Sequence, residues 1–221
     1  DQIHDCIQTT RPTIRLSGIT TFIAEIGSAT PEERQRARDA LIFLARLGER
    51  LNDKHRHSIR AVELVGGSVA DGVWLHQPNL GVNPVSVVNR ATEDQSFERI
   101  REVLQETVAE TPKIKIPFAL EMEPGPLFTL NGLSPMCYFL SQLHQIFPDT
   151  IGRVGFNFDL AHFAFIRENG LHAVTQSYAW KHLIHVHISD HTNGHLADCV
   201  IGAIHHEADF SGWIHAIETK L

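Results

Sequence analysis

The sequence predicts an α/β fold in which parallel strands and helices alternate and close into a (β/α)8 barrel. Short apolar runs rich in β-branched residues alternate with longer amphipathic segments, as in a parallel sheet with covering helices. Two of the apolar runs, Ile116 to Glu121 and Val154 to Asp159, end in an acid. This suits a barrel, because the carboxyl ends of its strands meet at one mouth. A dinucleotide-binding sheet would instead carry G-x-G-x-x-G after its first strand, and the sequence has no such motif.

The first half of the chain predicts two strands and the helix between them. Residues 13–22 are rich in β-branched residues, which is typical of a strand. Thr30 and the Pro-Glu-Glu that follows resemble a capping box, so a helix is predicted over 31–52, where apolar residues recur every three or four positions. Residues 58–65 predict the second strand. Gly, Pro and Asn without helical periodicity then indicate a long loop over 68–90.

The second half continues the alternation. A helix is predicted to begin at Thr92 and another at Ser134, because each precedes an apolar stripe at helical spacing. Residues 172–181 predict a further helix. The strands between these helices are the two runs that end in acids. A last strand is predicted over 184–190, which reads I-H-V-H-I-S-D.

Composition limits the classes of function. The chain has 221 residues, of which 43% are hydrophobic, enough for the full core of one domain. A net charge of −7 and the lack of a Lys/Arg cluster argue against a nucleic-acid partner. Three widely spaced cysteines argue against a disulfide framework and a structural zinc knuckle, so we expect the reducing cytoplasm. The sequence shows neither a long apolar run nor a signal-peptide pattern, so no membrane partner is expected.

Three residues with metal-binding chemistry stand at successive strand ends. Glu121, Asp159 and His187 would project toward a common point, where two carboxylates and one imidazole suit a divalent ion such as Mn, Mg, Co or Zn. Glu123 is the alternative to Glu121 as a ligand, since it is the same-face neighbour on an extended chain. The competing interpretation is that these side chains are rim residues that form hydrogen bonds without a metal.

The last predicted strand carries two histidines on one face. Strict alternation places Ile184, Val186 and Ile188 on the opposite face from His185 and His187. Buried imidazoles are costly unless they meet a metal, a substrate or each other. Further polar residues that follow this strand are candidates for the mouth of the barrel: Asp190, His195, Asp198 and His205.

Three motifs carry a resemblance to a known family. A-L-E-M-E-P-G, G-F-N-F-D-L-A-H-F and H-V-H-I-S-D, in that order, resemble the xylose-isomerase-like TIM-barrel superfamily. That superfamily holds sugar phosphate isomerases and epimerases and the AP-endonuclease-2-like metal barrels. The resemblance implies that Glu121, Asp159 and His187 are metal ligands and that His162 contacts a substrate oxygen. It also implies that a polyol carbonyl or hydroxyl binds the metal while a carboxylate moves a proton on carbon.

Some positions depart from the resembled branches. The ketose 3-epimerases carry a glutamate and an arginine where this chain has Leu127 and Asn193. The AP-endonuclease branch carries extra histidines on earlier strands, whereas the strand ends near Thr20 and Val65 offer none. These departures argue against ketose 3-epimerisation and against DNA repair.

The resemblance also sets an expectation about the extent of the barrel. Its members have two strands before the one predicted at 13–22 and a glutamate ligand on the last strand. Residues 210–221 instead show apolar residues at helical steps, so we expect a helix with Glu218 facing solvent. We therefore expect residues 1–221 to form a single, partial barrel domain with about six of eight strands. An open barrel exposes strand edges, so it would rely on a partner surface such as a second copy of the chain.

The sequence therefore predicts an enzyme, a divalent-metal-dependent isomerase or epimerase of a small sugar, sugar phosphate or other polyhydroxy carbonyl compound. Glu121 and His162 are the predicted catalytic residues. The predicted substrate-binding residues are Glu123, His162, Asp190, His195, Asp198 and His205. Two other classes stay open. One is a non-catalytic barrel that binds a metabolite, and the other is a metal-dependent phosphoester hydrolase, which would need a second metal held by residues such as His195, Asp198 or His205.

Overall fold

The computed structural model describes residues 15–55, 57–65, 67, 70–71, 89–90, 93–124, 128–168, 170–188, 190–192, 195–199 and 210–221. Within these ranges, five parallel strands and their flanking helices form half of a (β/α)8 barrel. This confirms the predicted α/β barrel fold, and the described part of the chain holds five of the roughly six barrel strands that were expected. No helix of the described ranges is long and apolar enough to cross a membrane.

The structure has the following elements. The strands are β1, Gly18–Thr21; β2, Ala61–Val65; β3, Ala70–Asp71; β4, Asn89–Arg90; β5, Phe118–Glu121; β6, Val154–Asp159; β7, Leu183–His187; β8, Asp190–Thr192; and β9, His195–Cys199. The α-helices are α1, Pro31–His55; α2, Glu93–Glu110; α3, Leu133–Ile146; α4, Leu160–Phe165; α5, Leu171–Thr175; α6, Tyr178–Lys181; and α7, Phe210–Lys220. Short 3-10 segments span Ala24–Gly27 and Pro148–Thr150.

The sheet follows the order of the chain. Its strand order is β1-β2-β5-β6-β7, and every neighbouring pair is parallel. Parallel neighbours in sequential order are what a (β/α)8 barrel requires, because each helix crosses over the same face to the next strand. Two short antiparallel pairs, β3-β4 and β8-β9, follow β2 and β7 along the chain. Of the long loop predicted over 68–90, the described residues include only the β3-β4 pair.

The outer face of the sheet carries the hydrophobic core. Phe118 and Leu120 of β5 and Phe156 and Phe158 of β6 are fully buried. They pack with the apolar sides of the helices, and Phe158 stacks on Trp213 of α7 with ring centroids 4.7 Å apart. Burial of each such side chain contributes about 1.5–3 kcal/mol. Packing of the outer face against the helices thus holds the strands in place, and with them the side chains on the inner face.

Several predicted elements differ in their bounds: the strands predicted at 13–22, 58–65 and 184–190 span Gly18–Thr21, Ala61–Val65 and Leu183–His187. Two other differences have a clear local reason. The predicted strand at 116–121 begins only at Phe118, because Pro117 has no N–H group to donate to a neighbouring strand. The predicted helix over 172–181 is two helices, α5 and α6. Ser177 separates them with an extended backbone, and its hydroxyl oxygen accepts the N–H of Trp180 at 3.1 Å, which starts α6.

Helix α4 was not predicted, although its start is encoded by one residue. The Oδ1 atom of Asp159 accepts hydrogen bonds from the N–H groups of Ala161 at 2.8 Å and His162 at 3.2 Å. Asp159 is therefore both the end of β6 and the N-cap of α4. This turn directs His162 back toward the strand ends.

A bulge in β7 corrects the predicted alternation of the histidine strand. The register between β6 and β7 shifts at Phe156 and Asn157. The side chain of Ile184 lies over Gly155, where a Cβ would come within 2.6 Å of Ile184 Cδ1. Ile184 therefore does not share a face with Val186, which packs against the core. The bulge inserts one residue and so resets the alternation.

The C-terminal segment has the predicted conformation. Helix α7 spans Phe210–Lys220, and Trp213 is its buried anchor against the core. Glu218 is exposed on this helix, so the prediction of a solvent-facing Glu218 is confirmed.

Candidate metal centre at the carboxyl ends of the strands

The inner face of the half-barrel gathers acids and histidines. Side chains alternate along each strand, so the neighbours of the core residues point toward the barrel axis. The strand register places Thr20 beside Glu63 and Asp159 beside His187. Glu63, Glu121 and Asp159 are only 2%, 5% and 4% exposed. Three acids buried together require compensating positive charge or hydrogen-bond donors.

The imidazole of His187 lies among these three acids. Its Nε2 atom is 2.9 Å from Glu63 Oε2, and its Nδ1 atom is 3.4 Å from Glu121 Oε1 and 3.5 Å from Asp159 Oδ2. Hydrogen bonds to Asp159, Glu121 and Glu63 raise the pKa of His187 to about 12 and outweigh the opposing effect of burial. The structure thus brings the predicted ligands Glu121, Asp159 and His187 together. The positive charge of the protonated His187 balances the negative charge of the acids around it.

The three acids titrate differently because burial and neighbours compete. Burial raises the pKa of Glu121 to about 7, with Glu63 adding to this effect and His187 opposing it. Burial also acts to raise the pKa of Glu63, but His187, Glu121 and the Thr20 hydroxyl outweigh it and the pKa is lowered. For Asp159 as well, His187 and His162 outweigh burial and lower the pKa. Glu63 and Asp159 therefore carry their charge at neutral pH, while Glu121 is near its midpoint.

Glu63 is the site residue that the sequence reasoning missed. It lies in the middle of β2, whose five residues are all buried. Thr20 Oγ1 donates a hydrogen bond to Glu63 Oε2 at 3.0 Å. The same oxygen contacts His187 Nε2, so the carboxylate is held by one residue of β1 and one of β7. A signal was present, because a charged residue inside the apolar run A-V-E-L-V is costly without a partner.

His162 and His185 complete the cluster. The Nδ1–H group of His162 donates to the Met122 carbonyl oxygen at 2.8 Å and lies 3.5 Å from Glu121 Oε1. Burial acts to lower the pKa of His162, but the charges of Asp159 and Glu121 outweigh it and the pKa is raised. The Nε2 atom of His185 is 3.9 Å from Glu63 Oε2, and burial together with the nearby His187 lowers the pKa of His185.

These residues fit a divalent metal ion. Among the described residues, two groups of three have candidate ligand atoms within 4.8 Å of one another. One group is Glu121, Asp159 and His162, and the other is Glu63, His185 and His187. Carboxylate and imidazole donors are the set that Mn, Co and Zn accept, and carboxylates also suit Mg. Glu63 Oε1 is buried without a hydrogen-bond partner, so the cluster has an acceptor oxygen that a cation or a donor could satisfy.

Not every predicted site residue lies in this cluster. Glu121, rather than the alternative Glu123, lies beside His187. Glu123 is half-buried and its charge contributes to raising the pKa of His162. The side chains of the other predicted contacts lie outside the described part of the chain, and these are Asp190, His195, Asp198 and His205.

Asn157 is a second residue that sequence reasoning did not single out. It is fully buried on β6, paired with Glu121 on one side and His185 on the other. Both side-chain amide atoms of Asn157 lack a hydrogen-bond partner. An unsatisfied buried amide costs about 1–3 kcal/mol, so this polar side chain beside Glu121 lowers the stability of the fold.

Comparison with solved structures gives relatives of the same fold. The structure of 3-keto-D-glucoside 4-epimerase, YcjR, from E. coli has a TM-score of 0.62 and 16% identity, with 99% of this chain and 72% of that chain covered. The IolI protein with a bound zinc atom has a TM-score of 0.65 and 15% identity, covering 97% and 68%. A D-psicose 3-epimerase has a TM-score of 0.62 and 13% identity, covering 99% and 65%. The TM-scores show a shared fold, and at identities this low the likeness extends to the fold alone.

Comparison with protein families gives a match over nearly the whole chain. No curated protein matches the sequence. A model of the family described as xylose isomerase-like TIM barrel matches residues 1–219. The half-barrel and the strand-end acids agree with that match. The chain therefore belongs to the xylose isomerase-like TIM barrel family.

Proposed function

We propose that this chain is a divalent-metal-dependent isomerase or epimerase of a small sugar, sugar phosphate or other polyhydroxy carbonyl compound. The observation that carries the proposal is the convergence on His187 of Glu121 and Asp159, at the ends of β5 and β6, and of Glu63, from within β2. The fold relatives support the class, since two of them are sugar epimerases and a third binds zinc. Both reactions move a proton on carbon, which calls for acid–base groups beside a polarised carbonyl.

Glu121, Asp159 and His187 are the residues that we assign to the metal. The Nδ1 atom of His187 faces both acids, so the three side chains offer their donors to one place. Mn, Mg, Co and Zn are the candidate ions. When bound, the ion would polarise a carbonyl or hydroxyl oxygen of the substrate as a Lewis acid.

The remaining chemistry falls to residues of the chain itself. We assign proton transfer to Glu121, because this buried carboxylate lies beside both His187 and His162, with its Oε1 atom 3.4 and 3.5 Å from their Nδ1 atoms. His162 is held by the Met122 carbonyl oxygen, and we assign it to contact a substrate oxygen. Glu123 is the nearest further candidate for substrate contact. The other proposed contacts are Asp190, His195, Asp198 and His205, which follow the histidine strand.

Metal binding is the first test of this function. Metal content would be measured on protein purified without chelator, and Mn²⁺ and Zn²⁺ would be titrated by calorimetry into the wild type and Asp159→Asn. Asparagine keeps a side-chain oxygen to cap α4, so the variant should fold while losing a charged ligand. We expect one bound ion in the wild type and more than about tenfold weaker binding in Asp159→Asn, since even outer partners of a ligand contribute that much. A wild type that binds neither ion would contradict the proposal.

Turnover is the second test. The metal-loaded protein would be incubated in D₂O with a panel of aldoses, ketoses, keto-sugars and their phosphates. Proton NMR should show new sugar isomers, with deuterium on carbon next to the carbonyl where solvent exchange occurs. Metal binding without turnover of any sugar would favour the non-catalytic barrel. Phosphate release with two bound ions would favour the phosphoester hydrolase.

A further inference from the structure

We propose that Glu63 is a positioning residue that prepares His187 for metal binding by accepting the Nε2–H of its ring. The inference deepens the proposed function and rests on it, since it concerns the same metal centre. It assigns a role to an acid on β2 that lies apart from the ends of β5, β6 and β7.

The argument begins with the two nitrogens of His187. Nδ1 faces Glu121 and Asp159, at 3.4 and 3.5 Å, while Nε2 faces Glu63 at 2.9 Å. An imidazole that binds a metal through one nitrogen usually donates its other N–H to a carboxylate or carbonyl. That donation fixes the tautomer, the rotation of the ring and the electron density on the ligating atom. His187 already has this arrangement, with Nδ1 facing the two proposed ligands and Nε2 facing a carboxylate.

Glu63 is placed so that it can hold the ring rigidly. It lies at the centre of β2, between β1 and β5, and only 2% of its surface is exposed. Thr20 on the neighbouring strand donates to the same oxygen that faces His187, at 3.0 Å. A carboxylate fixed by a threonine on one side offers a defined direction to the imidazole N–H on the other. The chain Thr20, Glu63, His187 thus runs from β1 across β2 to the metal side of β7.

A competing assignment makes Glu63 a direct ligand. Its Oε1 atom is buried without a hydrogen-bond partner, and Nε2 of His185 is 3.9 Å from its Oε2. However, Glu63 Oε2 already meets two donors, Thr20 and His187, so direct ligation by this oxygen would break both hydrogen bonds. The contacts of Oε2 therefore favour an outer position for Glu63, and direct ligation through Oε1 is the alternative that the experiments below distinguish from it.

The first experiment measures the affinity for Zn²⁺ by calorimetry in the wild type, Glu63→Gln, Glu63→Ala and Thr20→Val. Glu106→Gln is the matched control, because it removes the same charge from an exposed helix residue that pairs only with Arg38 in the described part of the chain. We expect Glu63→Ala to weaken binding about 10–100-fold, as is typical when the outer partner of a ligand histidine is lost. Glu63→Gln keeps an acceptor oxygen and should lose less. Thr20→Val should lose least, and the control should match the wild type.

The second experiment reads the ring directly. Nitrogen NMR of histidine-labelled, Zn²⁺-loaded wild type should show the metal on His187 Nδ1 and a proton on Nε2. In Glu63→Gln that Nε2 proton should exchange faster with water, which a purely structural change elsewhere would not cause. If Glu63→Ala does not fold, Glu63→Gln and the NMR signature still decide the question.

The outcomes separate this inference from the proposed function. A wild type that binds no Zn²⁺ overturns both. Tight binding in the wild type, with Glu63→Gln and Glu63→Ala within twofold of it, overturns the role of Glu63 alone. The metal found on Nε2 of His187, with Glu63 as a direct ligand, also overturns it while leaving the metal centre in place.

Discussion

Replacing His187 with alanine should destabilise the metal-free protein. The change removes the positive charge that lies within 3.5 Å of Glu63, Glu121 and Asp159. Removing one partner from a buried ion pair costs about 3–5 kcal/mol, because the other charge stays buried. The His187 side chain keeps 35% of its surface exposed, so solvent screens part of this interaction. We therefore expect a loss of about 2–3 kcal/mol in the free energy of unfolding near pH 7.

The loss should depend on pH with a defined sign. The pKa of His187 is raised from 6.5 to about 12, so its contribution is complete below pH 6.5 and is lost as the pH rises toward 12. The pKa values of Glu63 and Asp159 are lowered, so their contribution is present above their ordinary values of 4.5 and 3.8 and is lost as the pH falls through the lowered values. The difference between wild type and His187→Ala should be largest between about pH 4.5 and 6.5, where both contributions are fully present, and smaller at both extremes.

Urea unfolding followed by circular dichroism, with EDTA present, measures this difference at acid, neutral and alkaline pH. His172→Ala is the control, because His172 is exposed on α5 away from the cluster. The reasoning is refuted if His187→Ala unfolds within about 0.5 kcal/mol of the control at every pH, the range of ordinary surface changes.

Three further predictions follow from the same geometry. Zn²⁺ binding should release protons, because His187 must lose its extra proton to act as a ligand, so the apparent affinity should rise with pH as long as the pH is below about 12. Calorimetry in buffers of different ionisation enthalpy counts the protons, and a count of zero contradicts the prediction. Gly155→Ala should cost about 1–3 kcal/mol of stability, because its Cβ would lie 2.3 Å from a backbone oxygen of the segment leading into β7. The control is Gly170→Ala, whose Cβ would meet its nearest atom at 3.8 Å, and equal urea midpoints for the two variants would be inconsistent with the close packing of β6 on β7. Asp159→Ala should be less stable than Asp159→Asn by about 1 kcal/mol, because only asparagine can still cap α4, and equal melting temperatures for the pair would argue against the cap.

Much of the fold could be predicted because the sequence pattern is locally consistent. Strand β6 was predicted over Val154 to Asp159 and has those bounds, since its aromatic residues alternate with small or polar ones. The errors arise where a single residue overrides the pattern. Pro117 shortens β5, Ser177 divides a predicted helix, and the bulge at Ile184 resets the alternation of β7. Such local hydrogen bonding is not visible in hydrophobic periodicity.

The candidate site was predicted in part for a similar reason. Glu121, Asp159 and His187 could be brought together from sequence because each ends a strand, and neighbouring strand ends meet in a barrel. Glu63 could not, because it lies within its strand and meets His187 only through the pairing and curvature of the sheet. The sequence indicated Glu63 only through the free-energy cost of placing a charge inside an apolar run, and its position along the strand gave no indication.

Anomalous X-ray diffraction from crystals of the chain soaked in Mn²⁺ or Zn²⁺ tests the proposed metal centre most directly. We expect one strong peak within about 2.0–2.3 Å of a carboxylate oxygen of Glu121, a carboxylate oxygen of Asp159 and the Nδ1 atom of His187. Glu63 should remain outside bonding distance of the ion and in contact with Nε2. A peak on another set of side chains, or none at this place after soaking, would contradict the account.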